Sequence, residues 1–157
     1  MDITDLIAAD GVIVGLRARD KRQVLDELAR RAAAALGIDA GAILAALLAR
    51  EELGSTGVGK GIAVPHARMP GISRPFALLA RLERPIDFAA VDDLPVDLAC
   101  QLLTPATATV EHLPALACIS RRLREKGIAD RLRSARDSAA LYAILAGVAA
   151  AEARPRT

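Results

Sequence analysis

The residues whose types and spacing promise chemistry run from Arg50 to Arg68, reading Arg-Glu-Glu-Leu-Gly-Ser-Thr-Gly-Val-Gly-Lys-Gly-Ile-Ala-Val-Pro-His-Ala-Arg. Gly54, Gly57, Gly59 and Gly61 fall within eight residues, and a short β-branched run then delivers His66, one of two histidines in the chain. Glycines let main-chain N–H groups approach an anion closely, Ser55 and Thr56 bring hydroxyls, and Arg50, Lys60 and Arg68 bring positive charge. The chemistry this pattern fits is an anion site beside a titratable nucleophile. A neutral imidazole is a good nucleophile near pH 7, with a reference pKa of about 6.5, and its N-phosphorylated form is a labile phosphoryl donor. Ser55, Thr56 and Gly57 are therefore expected to bind the equatorial oxygens of a phosphoryl group in transfer.

Three other readings compete for the same residues. Gly54 to Lys60 matches the first part of a nucleotide-binding G-x-x-x-x-G-K loop. That loop needs Ser or Thr after the Lys and a helix beneath the phosphates, whereas Gly61 follows here, Ile62-Ala63-Val64-Pro65 starts a helix poorly, and a helix precedes the loop where a strand is required. A metal centre would have to use His66, His112, Cys100 and Cys118, whose spacings match no zinc module. The third reading makes His66 an ordinary loop histidine, and the company it keeps argues against that. His112, near a helix start, and Arg50, at a helix end, are candidates to join His66; the residues by themselves leave both equally open to an ordinary helix-end role.

The elements that must position these groups follow from periodicity. Asp2 to Ala9 makes a short opening helix and Val12-Ile13-Val14 a strand. Asp20 caps a helix to Leu36 with Val24, Leu25, Leu28, Ala32 and Ala35 at helical spacing. A second helix runs from Asp39 or Ala40 to Glu52 and stops at Gly54, placing Arg50 in its last turn, where a cation is favoured. Ile62-Ala63-Val64 reads as a strand ending at Pro65, so that His66 emerges at its edge. Phe76 to Leu82 and Val96 to Leu103 read as strands separated by Pro85-Ile86-Asp87-Phe88 and the acidic turn at Asp92-Asp93. Helices follow, from a Thr107 or Thr109 cap to Lys126 with Pro114 near the start, from Ile128 to Arg133, and from Ser138 to Ala150. This order predicts an α/β fold with a mixed central sheet and helices on both faces.

The 157 residues suit a single domain over 1–151, with 152–157 as a disordered tail. The chain is 53% hydrophobic but only 2% aromatic, which calls for an aliphatic core. A net charge of +2, from 21 basic and 19 acidic residues, and the lack of stacking aromatics argue against nucleic-acid binding. Cys100 and Cys118 lack CxxC spacing and read as buried thiols of a reducing compartment. No signal peptide or apolar run of about 18 residues is evident, so a cytoplasmic protein without membrane insertion is expected.

Arg50-Glu51, Gly54-Ser55-Thr56-Gly57-Val58-Gly59 and Gly61-Ile62-Ala63-Val64-Pro65-His66 together resemble the active-site signature of enzyme IIA proteins of the fructose/mannitol class in the bacterial phosphoenolpyruvate phosphotransferase system, and most closely the nitrogen-regulatory branch. Pro85-Ile86-Asp87-Phe88, Asp93 to Leu98, and Glu111-His112-Leu113 leading to Arg121-Arg122-Leu123 agree, so the resemblance covers residues 3 to 148. It implies an α/β sandwich, phosphorylation of His66, and His112 and Arg50 as active-site partners. It further implies a phosphoryl carrier loaded by a phosphocarrier protein of the HPr kind, with no metal, nucleotide or other cofactor. In the regulatory branch the two phosphorylation states bind targets such as potassium transporters or sensor kinases differently. In the sugar branch the group passes to a IIB domain for fructose- or mannitol-class uptake. A standalone domain favours the regulatory branch, and the three intact site residues argue against a binding module that has lost phosphotransfer. Lys60 stands where many members carry Asn, and Ala67-Arg68 where Gly-Lys is common.

Overall fold

In a computed structural model of the chain, which describes residues 1–107 and 109–147, six strands form one mixed sheet. The elements are α1 (Ile3–Leu6), β1 (Val12–Leu16), α2 (Lys21–Leu36), α3 (Ala40–Glu52), β2 (Gly57–Gly59), β3 (Ile62–Ala63), β4 (His66–Met69), β5 (Phe76–Ile86), β6 (Val96–Pro105), α4 (Thr109–Arg124), α5 (Ile128–Ser134) and α6 (Ser138–Ala146). The sheet order is β1-β5-β6-β3-β2, with β4 also paired to β6. β1 runs parallel to β5, β5 antiparallel to β6, β3 and β4 parallel to β6, and β2 antiparallel to β3. The last helix stops at Ala146, where Gly147 takes the left-handed conformation, short of the expected Ala150; α4 begins at Thr109, and the residue before it, like the expected tail at 152–157, lies outside the described residues.

The strands are apolar on both faces because both faces are covered. Leu78, Ala80, Leu82, Ala99 and Leu103 pack with Val24, Leu25 and Leu28 of α2 and Ile43 and Leu47 of α3. The alternate residues Ala77, Leu79, Leu98, Cys100 and Leu102 pack with α1, α4, α5 and α6 through Leu6, Ile119, Leu132 and Leu141. The result is an α/β sandwich with a mixed sheet and helices on both faces. The core is aliphatic except for Phe88, which is fully buried. Asp20 and Asp39 cap α2 and α3 by accepting the main-chain N–H groups of Gln23 and Ala42 at 2.8 Å.

Three segments differ from the sequence expectation. Pro65 interrupts the strand after Val64 without ending it: its carbonyl accepts from the Leu102 N–H at 2.9 Å, and pairing with β6 resumes at once as β4, with His66 opposite Leu102. His66 therefore begins a strand within the sheet instead of leaving a strand edge. β5 continues to Ile86, which pairs with Val96 after a break in register beyond Arg81, so Pro85 and Ile86 belong to a strand that bends. The glycine run is itself partly strand, β2, hydrogen-bonded to β3.

Within that run Gly61 has φ +81°, and a Cβ there would lie 2.5 Å from Nη2 of Arg133 and 3.0 Å from Oδ1 of Asp97. Arg133 pairs with Asp97 at 2.9 Å and donates to the Lys60 carbonyl at 2.7 Å, so it cannot yield without breaking both contacts. Gly61→Ala is expected to destabilise the fold by about 1–3 kcal/mol, read as a lower urea midpoint. An unchanged midpoint would show that the turn relaxes freely.

Candidate active site

Arg50 sits in the last turn of α3, and its guanidinium turns back to cap that helix end: Nη1 donates to the Gly54 carbonyl at 2.8 Å. The same group reaches the imidazole of His66, with Nε donating to Nε2 at 3.3 Å. The other ring nitrogen of His66, Nδ1, lies 2.8 Å from the Val64 carbonyl. A carbonyl only accepts, so Nδ1 carries the hydrogen and Nε2 presents its lone pair to Arg50. His112, in the first turn of α4, brings its ring to within 5.5 Å of the His66 ring, centroid to centroid, with the planes inclined at 52°. Arg50, Leu53, His66, Arg68 and His112 line one shallow hollow whose floor is β4.

Both imidazoles are held below the ordinary histidine value. For His66, burial is the main cause, opposed by its bond to the Val64 carbonyl and by Glu51 and reinforced by Arg50. For His112, burial again leads, followed by the charge of Arg68 and by His66. Both rings are neutral at pH 7, and the positive charge of the hollow comes from the two guanidinium groups. An uncharged nucleophile beside fixed cations can attack an electrophilic phosphorus and then neutralise the oxygens it acquires.

The structure brings His66, His112 and Arg50 together and commits Ser55, Thr56 and Gly57 elsewhere. The Ser55 hydroxyl donates to the Phe88 carbonyl at 2.7 Å and accepts the Gly57 N–H at 3.0 Å. The Thr56 hydroxyl and N–H both go to the Glu51 carboxylate, which also pairs with Lys21 at 2.9 Å. In the free chain the expected phosphoryl-binding donors are engaged within the protein, and the anion that Thr56 binds is Glu51, one residue along from Arg50. Gly57 is required by close approach, since a Cβ there would meet Ala90 at 2.7 Å. Lys60 lines a different hollow from that of His66; its main-chain N–H donates to Asp92 and its main-chain carbonyl accepts from Arg133.

The sequence points to Arg68 only as a source of positive charge and does not point to Thr104 at all. Arg68 shares a strand face with His66 two residues earlier, a period-2 relation visible only once β4 is recognised as a strand. Thr104 lies opposite Arg68 in the β4–β6 register, and its hydroxyl is 2.6 Å from Nδ1 of His112. Cys100 lies in the apolar layer on the α4–α6 side of the sheet, where burial pushes its thiol up to about 12.

Comparison with known proteins adds four likenesses. The model of the family described as "Phosphoenolpyruvate-dependent sugar phosphotransferase system, EIIA 2" matches residues 5–148. The chain is 47% identical over 146 residues to a nitrogen regulatory protein of Bradyrhizobium diazoefficiens, covering 93% of this chain and 95% of that one. It is 34% identical over 119 residues to a fructose-specific EIIA component of Haloferax volcanii, covering 72% and 77%. Among solved structures, the nitrogen regulatory protein IIA-Ntr of Neisseria meningitidis superposes with a TM-score of 0.84 at 29% identity, covering 91% of this chain and 98% of that one.

Proposed function

The chain belongs to the EIIA 2 family of the phosphoenolpyruvate-dependent sugar phosphotransferase system, and from that premise we propose that it is a phosphoryl carrier of the nitrogen-regulatory kind that takes the group on Nε2 of His66. The observation that carries the assignment to His66 is the hydrogen bond from Nδ1 to the Val64 carbonyl, which leaves Nε2 unprotonated and facing Arg50. In transfer, the Nε2 lone pair attacks the phosphorus of a phosphohistidine on an HPr-like phosphocarrier. A new N–P bond forms, the donor N–P bond breaks, and its electron pair returns to the donor imidazole. Nδ1 keeps its hydrogen, so the ring becomes cationic, and the Val64 carbonyl stabilises it by accepting that N–H.

Arg50 donates to Nε2 through its Nε–H before transfer, and the same guanidinium is the donor that meets the phosphoryl oxygens afterwards. Arg68 and His112 complete the cationic and donor side of the hollow. Ser55, Thr56 and Gly57 act by shaping the loop that follows Arg50. The exposed apolar side chains Leu53, Val110 and Leu113, beside Arg50 and His112 in sequence, supply a rim on which a protein donor can seat. Among the described residues no helix is long and apolar enough to cross a membrane.

The identity to a nitrogen regulatory protein supports the regulatory reading over the sugar one. Phosphorylation adds a charge of about −1.5 to −2 inside that apolar rim, enough to change which partner docks there. Targets of the potassium-transporter or sensor-kinase kind are part of this proposal. Two measurements test it. The phosphorylated protein is expected to give the phosphorus NMR signature of Nε2-phosphohistidine, and a signature of the Nδ1 isomer would refute the tautomer argument. In a pull-down, the free and phosphorylated forms are expected to retain different proteins; rapid passage of the phosphate to a IIB domain instead would establish the sugar reading.

A further inference from the structure

Thr104 lies on β6 with no exposure to solvent, and His112 faces it from the first turn of α4 with 8% of its surface exposed. The Thr104 hydroxyl and Nδ1 of His112 are 2.6 Å apart. Two arrangements fit that distance. If Nδ1 carried the hydrogen, the Thr104 oxygen would accept it, and the hydroxyl hydrogen would need another acceptor. Among the described residues the Thr104 side chain makes no other hydrogen bond. Leaving a buried O–H without an acceptor is unfavourable, so the hydroxyl donates to Nδ1 and the ring hydrogen sits on Nε2.

We propose that Thr104 is a positioning residue that holds His112 as the Nε2–H tautomer, so that this N–H is available to donate to the phosphoryl group on His66; the last step rests on the reading of His66 as acceptor. The same contact resists protonation, because an imidazolium would put a hydrogen on Nδ1 and orphan the hydroxyl. Of the charged and titratable groups around His112, Arg68 and His66 on β4 act in the same direction and Arg50 on α3 lines the same hollow, whereas Glu111, the adjoining acid on α4, carries the opposite charge. The two histidines thus have opposite tautomers by construction. His66 is set by a carbonyl to present a lone pair, and His112 is set by a hydroxyl to present a hydrogen.

The test compares the full-length chain with Thr104→Val, which matches the shape and suits a strand, and with Thr104→Ser, which keeps the hydroxyl. Long-range proton–nitrogen NMR on the unphosphorylated protein reads the His112 tautomer directly. The expected result is hydrogen on Nε2 in the parent and in Thr104→Ser, and a tautomer mixture with a higher titration midpoint in Thr104→Val. Transfer from the phosphocarrier is expected to slow roughly three- to tenfold in kcat in Thr104→Val, at unchanged KM, with Thr104→Ser restoring it. A parent with hydrogen on Nδ1 overturns the proposal, as does a Thr104→Val protein with the parental tautomer and kinetics. If His66 accepts no phosphate at all, the tautomer readings still decide the Thr104 contact, so the two failures are distinguishable.

Discussion

His66→Ala is expected to abolish phosphate uptake from phosphoenolpyruvate, enzyme I and an HPr-like phosphocarrier, while the parent takes up a single acid-labile group. The loss is total because no other residue in the hollow can take over. His112 is the only other imidazole in the chain, and with Thr104 donating to Nδ1 and a hydrogen on Nε2 it has no lone pair to offer. The two guanidinium groups are always charged and are not nucleophiles. His66 is only half-buried, so its removal leaves the fold in place, and a circular dichroism spectrum like the parent's is the control. Phosphate that still appears on the Ala variant would relocate the acceptor.

The pH dependence of the same reaction follows from the direction of the shift. Imidazole is nucleophilic only when unprotonated, and burial together with Arg50 holds His66 below 6.5. A free histidine would be half protonated at 6.5, whereas His66 remains mostly neutral there. The acceptance rate is therefore expected to fall with acidification with a midpoint below pH 6.5. A decline centred at or above 6.5 would mean that the Val64 and Glu51 contributions, which act in the other direction, prevail.

Phe88→Ala is expected to cost about 3–5 kcal/mol of stability, a drop in Tm on the order of 10 °C. Phe88 is fully buried and is the one large aromatic anchor of an otherwise aliphatic core. It also joins the core to the site. Lys21 lies 4.7 Å from the centre of its ring, and that Lys pairs with Glu51, which holds Thr56. Its carbonyl accepts from Ser55 at the start of the glycine run. Removing the ring opens a cavity beneath this chain of contacts, so phosphate uptake is expected to slow as well, whereas Phe88→Leu recovers much of both. A Phe88→Ala protein within 1 kcal/mol of the parent, by urea unfolding, would show that the segment collapses onto the core without the ring.

Much of the fold was legible because its causes are local. Asp20 and Asp39 cap helices in the manner their sequence positions suggest, and runs such as Phe76 to Ala80 are apolar throughout because helices cover both faces of the sheet. The end of β5 was harder to read. Pro85 signals a break, but the pairing of Ile86 with Val96 is made across ten residues and carries the strand past it. His66 was placed at a strand edge for a similar reason. Pro65 does lack a donor, but whether pairing resumes beyond it depends on β6, more than thirty residues away.

What the sequence by itself determined is the set of candidate residues: a histidine delivered by a bent, glycine-rich segment, an arginine in the last turn of the preceding helix, and a second histidine near a later helix start. Residue type and short spacing suffice for those. What only the tertiary structure decided is how each group is used. The glycine loop's donors are filled by Glu51 because the loop folds back on the helix that precedes it, satisfying buried polar groups from within. Arg68 and Thr104 enter the site through the β4–β6 register, and the hydrogen on each imidazole is fixed by a partner: Val64, two residues before His66, and Thr104, eight before His112 on another element. A tautomer depends on the geometry of its neighbours, and that geometry exists only once strand, helix and loop have packed.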